Sequence, residues 1–195
     1  MTLPTGEVED VALRIARALE ALGVRYLVGG SVASSLLGEP RATNDIDFLV
    51  ELTESQVTPF SISLGPDFAV DEPALIDAVR KQGSWNIFYL PLVTKIDLFI
   101  KTDDPFDESE LMRRHFVTLG AGGLGLYVAS PEDLVVKKLS WYRAGGEVST
   151  AQWRDVLGVL AVSGNVLDRQ YLQHWSARLG VSDLLERALA AGPIG

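Results

Sequence analysis

The sequence contains no cysteine in its 195 residues, which excludes a disulfide framework and any thiolate-ligated metal site. Only two histidines are present, His115 and His174, too few for an imidazole-built transition-metal centre. No apolar run approaches the roughly 20 residues that a bilayer-spanning helix needs. The opening MTLPTGEVEDVALRIA also lacks the pattern of a secretory signal. The expectation is a protein without a membrane partner, cytoplasmic by default. Basic charge is in deficit, with 17 Lys and Arg against 26 Asp and Glu and a net charge of −9. That balance argues against broad binding to a nucleic-acid backbone, which needs clustered cations. It leaves room for a local anion pocket and supplies carboxylates for a cation.

With 47% hydrophobic and 22% charged residues, the chain suits one globular domain, or one domain with a helical appendage. Val8, Val11, Leu13, Ile15, Ala18, Leu19 and Leu22 recur at roughly helical spacing before Gly23, which predicts a first amphipathic helix with a glycine stop. Val24 to Val28 reads as a strand ending at Gly29-Gly30, and Ser31 to Leu37 as a helix. Ile46 to Val50 is a second strand. Leu52 to Asp71 gives no clear pattern. Pro73 to Gln82 reads as a helix, Asn86 to Leu90 and Thr94 to Ile100 as a hairpin around Pro91, and Asp107 to His115 as a further helix. From Ser130-Pro131-Glu132-Asp133, an N-cap serine with proline and acids in the first turn, the text turns helical: to Arg143, then over 150–162, 168–179 and 182–189. The expectation is a mixed α/β portion over residues 1–128 and a helical C-terminal portion over 129–195.

Three short segments carry chemistry. The strand–glycine–helix run from Tyr26 to Leu37 would present free N–H groups at a helix start, where the dipole also favours an anion. Asp45 and Asp47 stand two apart at the start of a strand, so both carboxylates project to one face while Ile46 enters the core. Like charges so close repel unless neutralised, and hard oxygen donors favour Mg²⁺ or Mn²⁺. Asp97 lies within the apolar strand Lys95-Ile96-Asp97-Leu98-Phe99-Ile100. It either joins such a site or simply pairs with Lys95 on the same face.

In this order Val28-Gly29-Gly30-Ser31, Asn44-Asp45-Ile46-Asp47-Phe48 and Lys95-Ile96-Asp97-Leu98 resemble the motifs of the nucleotidyltransferase superfamily. More narrowly, the chain is similar to the branch holding AbiEii-type toxins and related minimal nucleotidyltransferases. There Ser130-Pro131-Glu132-Asp133-Leu134, Lys137 or Lys138, Arg143 and Arg154-Asp155 stand at comparable places, whereas Gly158 replaces a later acid. The resemblance implies a nucleotidyltransferase fold, a mixed β-sheet flanked by helices, with the helical C-terminal part closing over the nucleotide. It further implies metal-dependent transfer of a nucleoside monophosphate from a nucleoside triphosphate to an acceptor hydroxyl on an RNA end, a protein or a small molecule. Asp45, Asp47 and Asp97 would be the catalytic, Mg²⁺- or Mn²⁺-binding residues. Gly29, Gly30, Ser31, Arg41, Thr43 and Lys137 would bind nucleotide. The rival reading is a catalytically silent nucleotide-binding protein, or a toxin–antitoxin-type protein with a cognate antitoxin partner, on the same fold.

Simpler readings stand beside these. Lys137 and Lys138 suit the wet face of a helix. Gly120 to Gly125 matches the dinucleotide fingerprint, yet Leu126-Tyr127-Val128 reads as a strand where that fingerprint needs a helix. Gly29 to Ala33 is faintly like a nucleophile elbow, with Asp97 and His174 in hydrolase order. His174, however, falls in an aromatic-rich helical stretch. Trp141, Tyr142, Trp153 and Trp175 suit helix packing.

Overall fold

A computed structural model describes residues 5–38, 43–119 and 123–191. The chain runs α1 (Thr5–Ala21), β1 (Tyr26–Val28), α2 (Gly30–Leu37), β2 (Asp45–Val50), α3 (Glu54–Leu64), β3 (Phe68–Ala69), α4 (Glu72–Arg80), β4 (Ser84–Tyr89) and β5 (Thr94–Ile100). It continues through α5 (Pro105–Arg113), β6 (His115–Thr118), β7 (Gly125–Val128), α6 (Pro131–Ala144), α7 (Thr150–Ser163), a 3₁₀ turn (Gly164–Val166), α8 (Arg169–Arg178) and α9 (Ser182–Ala191). By internal contacts the described chain divides into two units, residues 5–32 with 43–129 and residues 33–38 with 130–191. No helix among the described residues is long and apolar enough to cross a membrane.

The first unit is built on one mixed sheet in the order β3-β4-β5-β2-β1-β7-β6. β2 lies antiparallel to β1 and parallel to β5, and β1 runs parallel to β7. Period-two alternation explains its two faces. Ile46, Phe48 and Val50 of β2 share a face with Ile96, Leu98 and Ile100 of β5, and all six are buried. Asp45, Asp47, Lys95 and Asp97 fall on the other face. In α1 the spacing of Val8, Val11, Ala12, Ile15 and Leu19 buries one stripe, and α1 packs on α3, which packs on α4.

Two segments depart from the sequence expectation. The stretch without a pattern contains α3, which carries Pro59 in its interior. Proline removes one helical hydrogen bond, but Val57, Phe60 and Leu64 are buried, and Gln56 Oε1 accepts from the Thr53 N–H at 3.0 Å at the helix start. Burial outweighs the local penalty. The helix expected through His115 ends at Arg113, and His115 begins strand β6. β6 and β7 form an antiparallel hairpin with Thr118 opposite Gly125, so Leu126 to Val128 is strand and no helix follows the glycine pattern. Gly120, Ala121 and Gly122 lie outside the described residues.

Arg25 links the start of β1 to β2 and α5. Its guanidinium donates to Glu51 at 2.5 and 2.8 Å and to Glu108 at 2.9 and 3.0 Å. These bonds hold both carboxyls below their ordinary value of 4.5. A depressed carboxylate stabilises the fold above its unfolded pKa and loses that contribution as pH falls through the folded value. Arg25→Met is therefore expected to melt below wild type at pH 7, with the gap closing as pH falls below about 4.5. A gap independent of pH in thermal melts would mean that Arg25 acts by packing alone.

The second unit is helical. Ser130, Ser149 and Asp168 cap α6, α7 and α8 by accepting from backbone N–H groups. Asp133 is buried and accepts from Ser130 Oγ at 2.6 Å and Tyr171 Oη at 2.5 Å. Glu132 accepts from the Asp168 N–H at 2.8 Å. Lys138 departs from a wet-face assignment, for it is 1% exposed. Its Nζ lies 2.7 Å from Asp155 Oδ2 and 3.2 Å from Gln152 Oε1. α6 is buried over most of its circumference (Leu134, Val135, Val136, Leu139 and Tyr142), so it has little wet face to offer. Gly38 sits against the backbone of α7. A Cβ there would stand 3.1 Å from Val159 N and 3.2 Å from Gly158 C.

Candidate active site

The acids and the glycine turn meet through sheet register. β1 pairs with β2 so that Val28 faces Phe48, and the next residue, Gly29, donates its N–H to the Asp47 carbonyl at 2.9 Å. The chain then turns into α2 at Gly30, whose φ of +56° is accessible to glycine at little cost. A Cβ built on Gly30 would lie 1.7 Å from Asp47 Oδ2 and 2.6 Å from its Cγ. The carboxylate of Asp47 therefore lies against the Cα of Gly30, in space that any other residue would fill.

On the other side of β2, the parallel register places Asp45 opposite Lys95 and Asp47 opposite Asp97. Neighbouring strands run about 4.8 Å apart, so the two carboxyl groups are anchored one strand spacing apart on one face. Asp45 is exposed, Asp47 half-buried, and the Asp97 side chain 14% exposed. Lys95 Nζ lies 2.9 Å from Asp97 Oδ2. That hydrogen bond first, and then the charges of Asp97, Asp45 and Asp47, hold the Lys95 ammonium above its ordinary pKa. The Thr43 hydroxyl bonds the backbone of Asp45, donating to its carbonyl at 3.2 Å and accepting from its N–H at 3.4 Å. It thereby fixes the start of β2.

Of the residues singled out in the sequence, Gly29, Gly30, Asp45, Asp47 and Asp97 are brought together, with Ser31 in the first turn of α2 and Thr43 beside Asp45. Lys137 stands on α6 in the second unit. Arg41 lies outside the described residues. His174 packs edge-on against Trp175, ring centroids 5.0 Å apart, and Trp153 lies against Tyr142 at 5.3 Å. Both contacts suit packing roles. One neighbour of the acids was not read from the sequence: Asn86 of β4 is exposed and stands opposite Asp97. Extending the hairpin pairing inward from Tyr89 and Thr94 leads to it.

The donors fit a hard cation. All are carboxylate oxygens on adjacent strands, and the Asp47 carboxylate lies against the bare Cα of Gly30. Among the described residues, no three of His, Cys, Asp or Glu are gathered closely enough to hold an ion between them. Mg²⁺ does not need such a cage, because it is commonly held by one or two carboxylates with water and substrate phosphates completing its octahedron.

Comparison with known proteins bears on the fold. Neither a scan of protein-family models nor a search of curated proteins found a match to this chain. Among solved structures, it is similar to an antigenic nucleotidyltransferase-like protein from Paracoccidioides brasiliensis, with 22% identity and a TM-score of 0.58 over 100% of this chain and 97% of that one. It is also similar to ANT(2″)-Ia, solved in complex with adenylyl-2″-tobramycin, with 11% identity and a TM-score of 0.56 over 89% and 97% of the two chains. The fold, a mixed sheet flanked by helices, is thus that of nucleotidyltransferase-like proteins.

Proposed function

We propose that this chain transfers a nucleoside monophosphate from a nucleoside triphosphate to an acceptor hydroxyl. The observation that carries the reading is the packing of Gly30 on the Asp47 carboxylate, with Asp97 opposite Asp47 in register. It joins a helix start suited to phosphate with carboxylates suited to Mg²⁺ or Mn²⁺. Gly29, Gly30 and Ser31 would receive the β- and γ-phosphates, and Asp45 and Asp47 would hold the metal. When bound, that ion would neutralise phosphate charge and orient the triphosphate. Asp97 would help hold metal or accept the hydroxyl proton as the acceptor oxygen bonds to the α-phosphorus. The bond from that phosphorus to the β-bridging oxygen would then break, releasing pyrophosphate. For Arg41, Thr43 and Lys137 the support is the sequence resemblance, and for the division at residues 128 and 129 it is the turn to helical periodicity from Ser130 onward.

The acceptor is proposed only by class. The neighbour solved with adenylyl-2″-tobramycin adds weight to a small-molecule hydroxyl, beside an RNA end or a protein. A second reading, a silent nucleotide-binding or antitoxin-partnered protein of AbiEii-like kind, draws on Gly158. Glycine stands where the resembling branch carries an acid, and the backbone there lies against Gly38.

The test is a thermal-shift titration with each of the four nucleoside triphosphates, with and without Mg²⁺, on wild type and Asp45→Ala/Asp47→Ala. A ligand at 100 times its Kd stabilises the folded state by about 2.7 kcal/mol, roughly 5–10 °C for a chain of this size. The expected result is that shift for wild type only with metal, and none for the double variant. An equal shift in both proteins would remove the acids from the site. Labelled product after incubation with α-labelled triphosphate and candidate acceptors would separate the enzyme from the silent reading.

A further inference from the structure

We propose that Lys95 is a built-in counter-cation that holds Asp97 when no metal is bound and releases it when a divalent ion arrives, so that metal affinity is set by competition with the protein's own ammonium. The inference rests on the metal-binding reading of this face and adds a residue to it. Lys95 and Asp97 are two apart on β5 and therefore share the face that carries Asp45 and Asp47. Register puts Lys95 directly opposite Asp45 and one step from Asp47, and its Nζ is 2.9 Å from Asp97 Oδ2. The Asp97 side chain is mostly covered, at 14% exposed, whereas that of Lys95 is 35% exposed.

The asymmetry decides which group moves. The carboxylate is held on a covered strand, while the ammonium sits on a flexible four-carbon stem with an open path to water. Asp45, Asp47 and Asp97 share one face, where like charges repel one another, and a single ammonium offsets only part of that repulsion. A divalent ion brings twice the charge and accepts ligands from more than one carboxylate at once. An ammonium already bonded to Asp97 opposes it, both by occupying an oxygen and by repelling the incoming charge. No group of three carboxylates is closed around a common point among the described residues, which suits a face whose third acid is engaged by its own lysine.

The test is calorimetric titration of Mn²⁺ alone, without nucleotide, into wild type, Lys95→Met and Lys95→Arg, together with metal-free melting curves. Methionine keeps the length of the stem and removes the charge. The expected result is Mn²⁺ binding to Lys95→Met tighter than to wild type by about tenfold, the order of effect of one unit charge within 4–6 Å of a carboxylate. Lys95→Arg is expected to stay within about threefold of wild type. The metal-free Lys95→Met protein should melt lower than wild type and gain more from Mn²⁺. Binding to Lys95→Met but not to wild type would support the proposal equally. Equal or weaker binding to a folded Lys95→Met would overturn it and leave the metal site standing. Failure of all three proteins to bind Mn²⁺ at millimolar concentration would overturn the metal-binding reading and this inference with it.

Discussion

Gly30→Ala is expected to abolish the metal-dependent nucleotide shift and to lower stability by about 1–3 kcal/mol. Two costs combine. An L-residue at φ +56° lies in the left-handed region, which disfavours any side chain by roughly 1–2 kcal/mol. The added methyl would also stand 1.7 Å from Asp47 Oδ2, so the carboxylate must swing away or the turn must open. Either movement displaces the oxygen expected to hold metal beside the helix start expected to hold phosphate. A displacement of about 1 Å in such a constellation is enough to cost about 10²-fold in rate. Gly29→Ala is the control for stability. A Cβ there meets nothing nearer than Leu27 Cδ1 at 3.9 Å, so its melting temperature should stay at or slightly above wild type. Retention of the full metal–nucleotide shift by Gly30→Ala would mean that the contact with Asp47 belongs to the turn and not to a ligand site.

That contact also shows what could and could not be read from the residues. The apolar alternation of Ile46, Phe48 and Val50, and of Ile96, Leu98 and Ile100, made β2 and β5 legible, because a strand covered on one face must repeat every two residues. The same parity placed Asp45 with Asp47 and Lys95 with Asp97. Strand order was not legible in that way: nothing local pairs residue 47 with residue 97, since parallel neighbours are joined through long crossovers. Family resemblance, not periodicity, suggested bringing Asp97 to the other acids, and the register of β2 on β5 now supplies the geometry. α3 escaped because Pro59 argues against a helix locally while its burial argues for one. β6 escaped because four residues alternating between half-buried and exposed carry too little apolar signal to distinguish a short edge strand from a helix end. The second unit misled in the opposite direction. A lysine pair in a helix reads as solvated by default, and helical periodicity cannot mark the dry side of a helix covered nearly all round.

The consequence for Lys138 is large and separable from catalysis. Lys138→Met or Asp155→Ala alone is expected to destabilise the protein by about 3–5 kcal/mol, because each removes one member of a buried, hydrogen-bonded ion pair. For a chain of this length that is roughly 6–20 °C in melting temperature. The Lys138 and Asp155 side chains are 2% and 4% exposed and 2.7 Å apart, so water cannot replace the lost partner without opening α6 from α7. After Asp155→Ala the ammonium loses its charged acceptor at 2.7 Å and keeps the uncharged Gln152 Oε1 at 3.2 Å. The double replacement Lys138→Met/Asp155→Leu removes both charges together and should recover most of the loss, since apolar pairs of similar volume often match or exceed a buried ion pair. Strictly additive losses in that cycle would show that the two residues act independently of each other. The recovered double variant then permits a cleaner question than either single change. If it melts near wild type yet no longer responds to metal and nucleoside triphosphate, the pair is kept for ligand binding. If it responds as wild type does, the pair is an internal fastener of the helical unit, and the search for nucleotide contacts in α6 moves one residue back to Lys137.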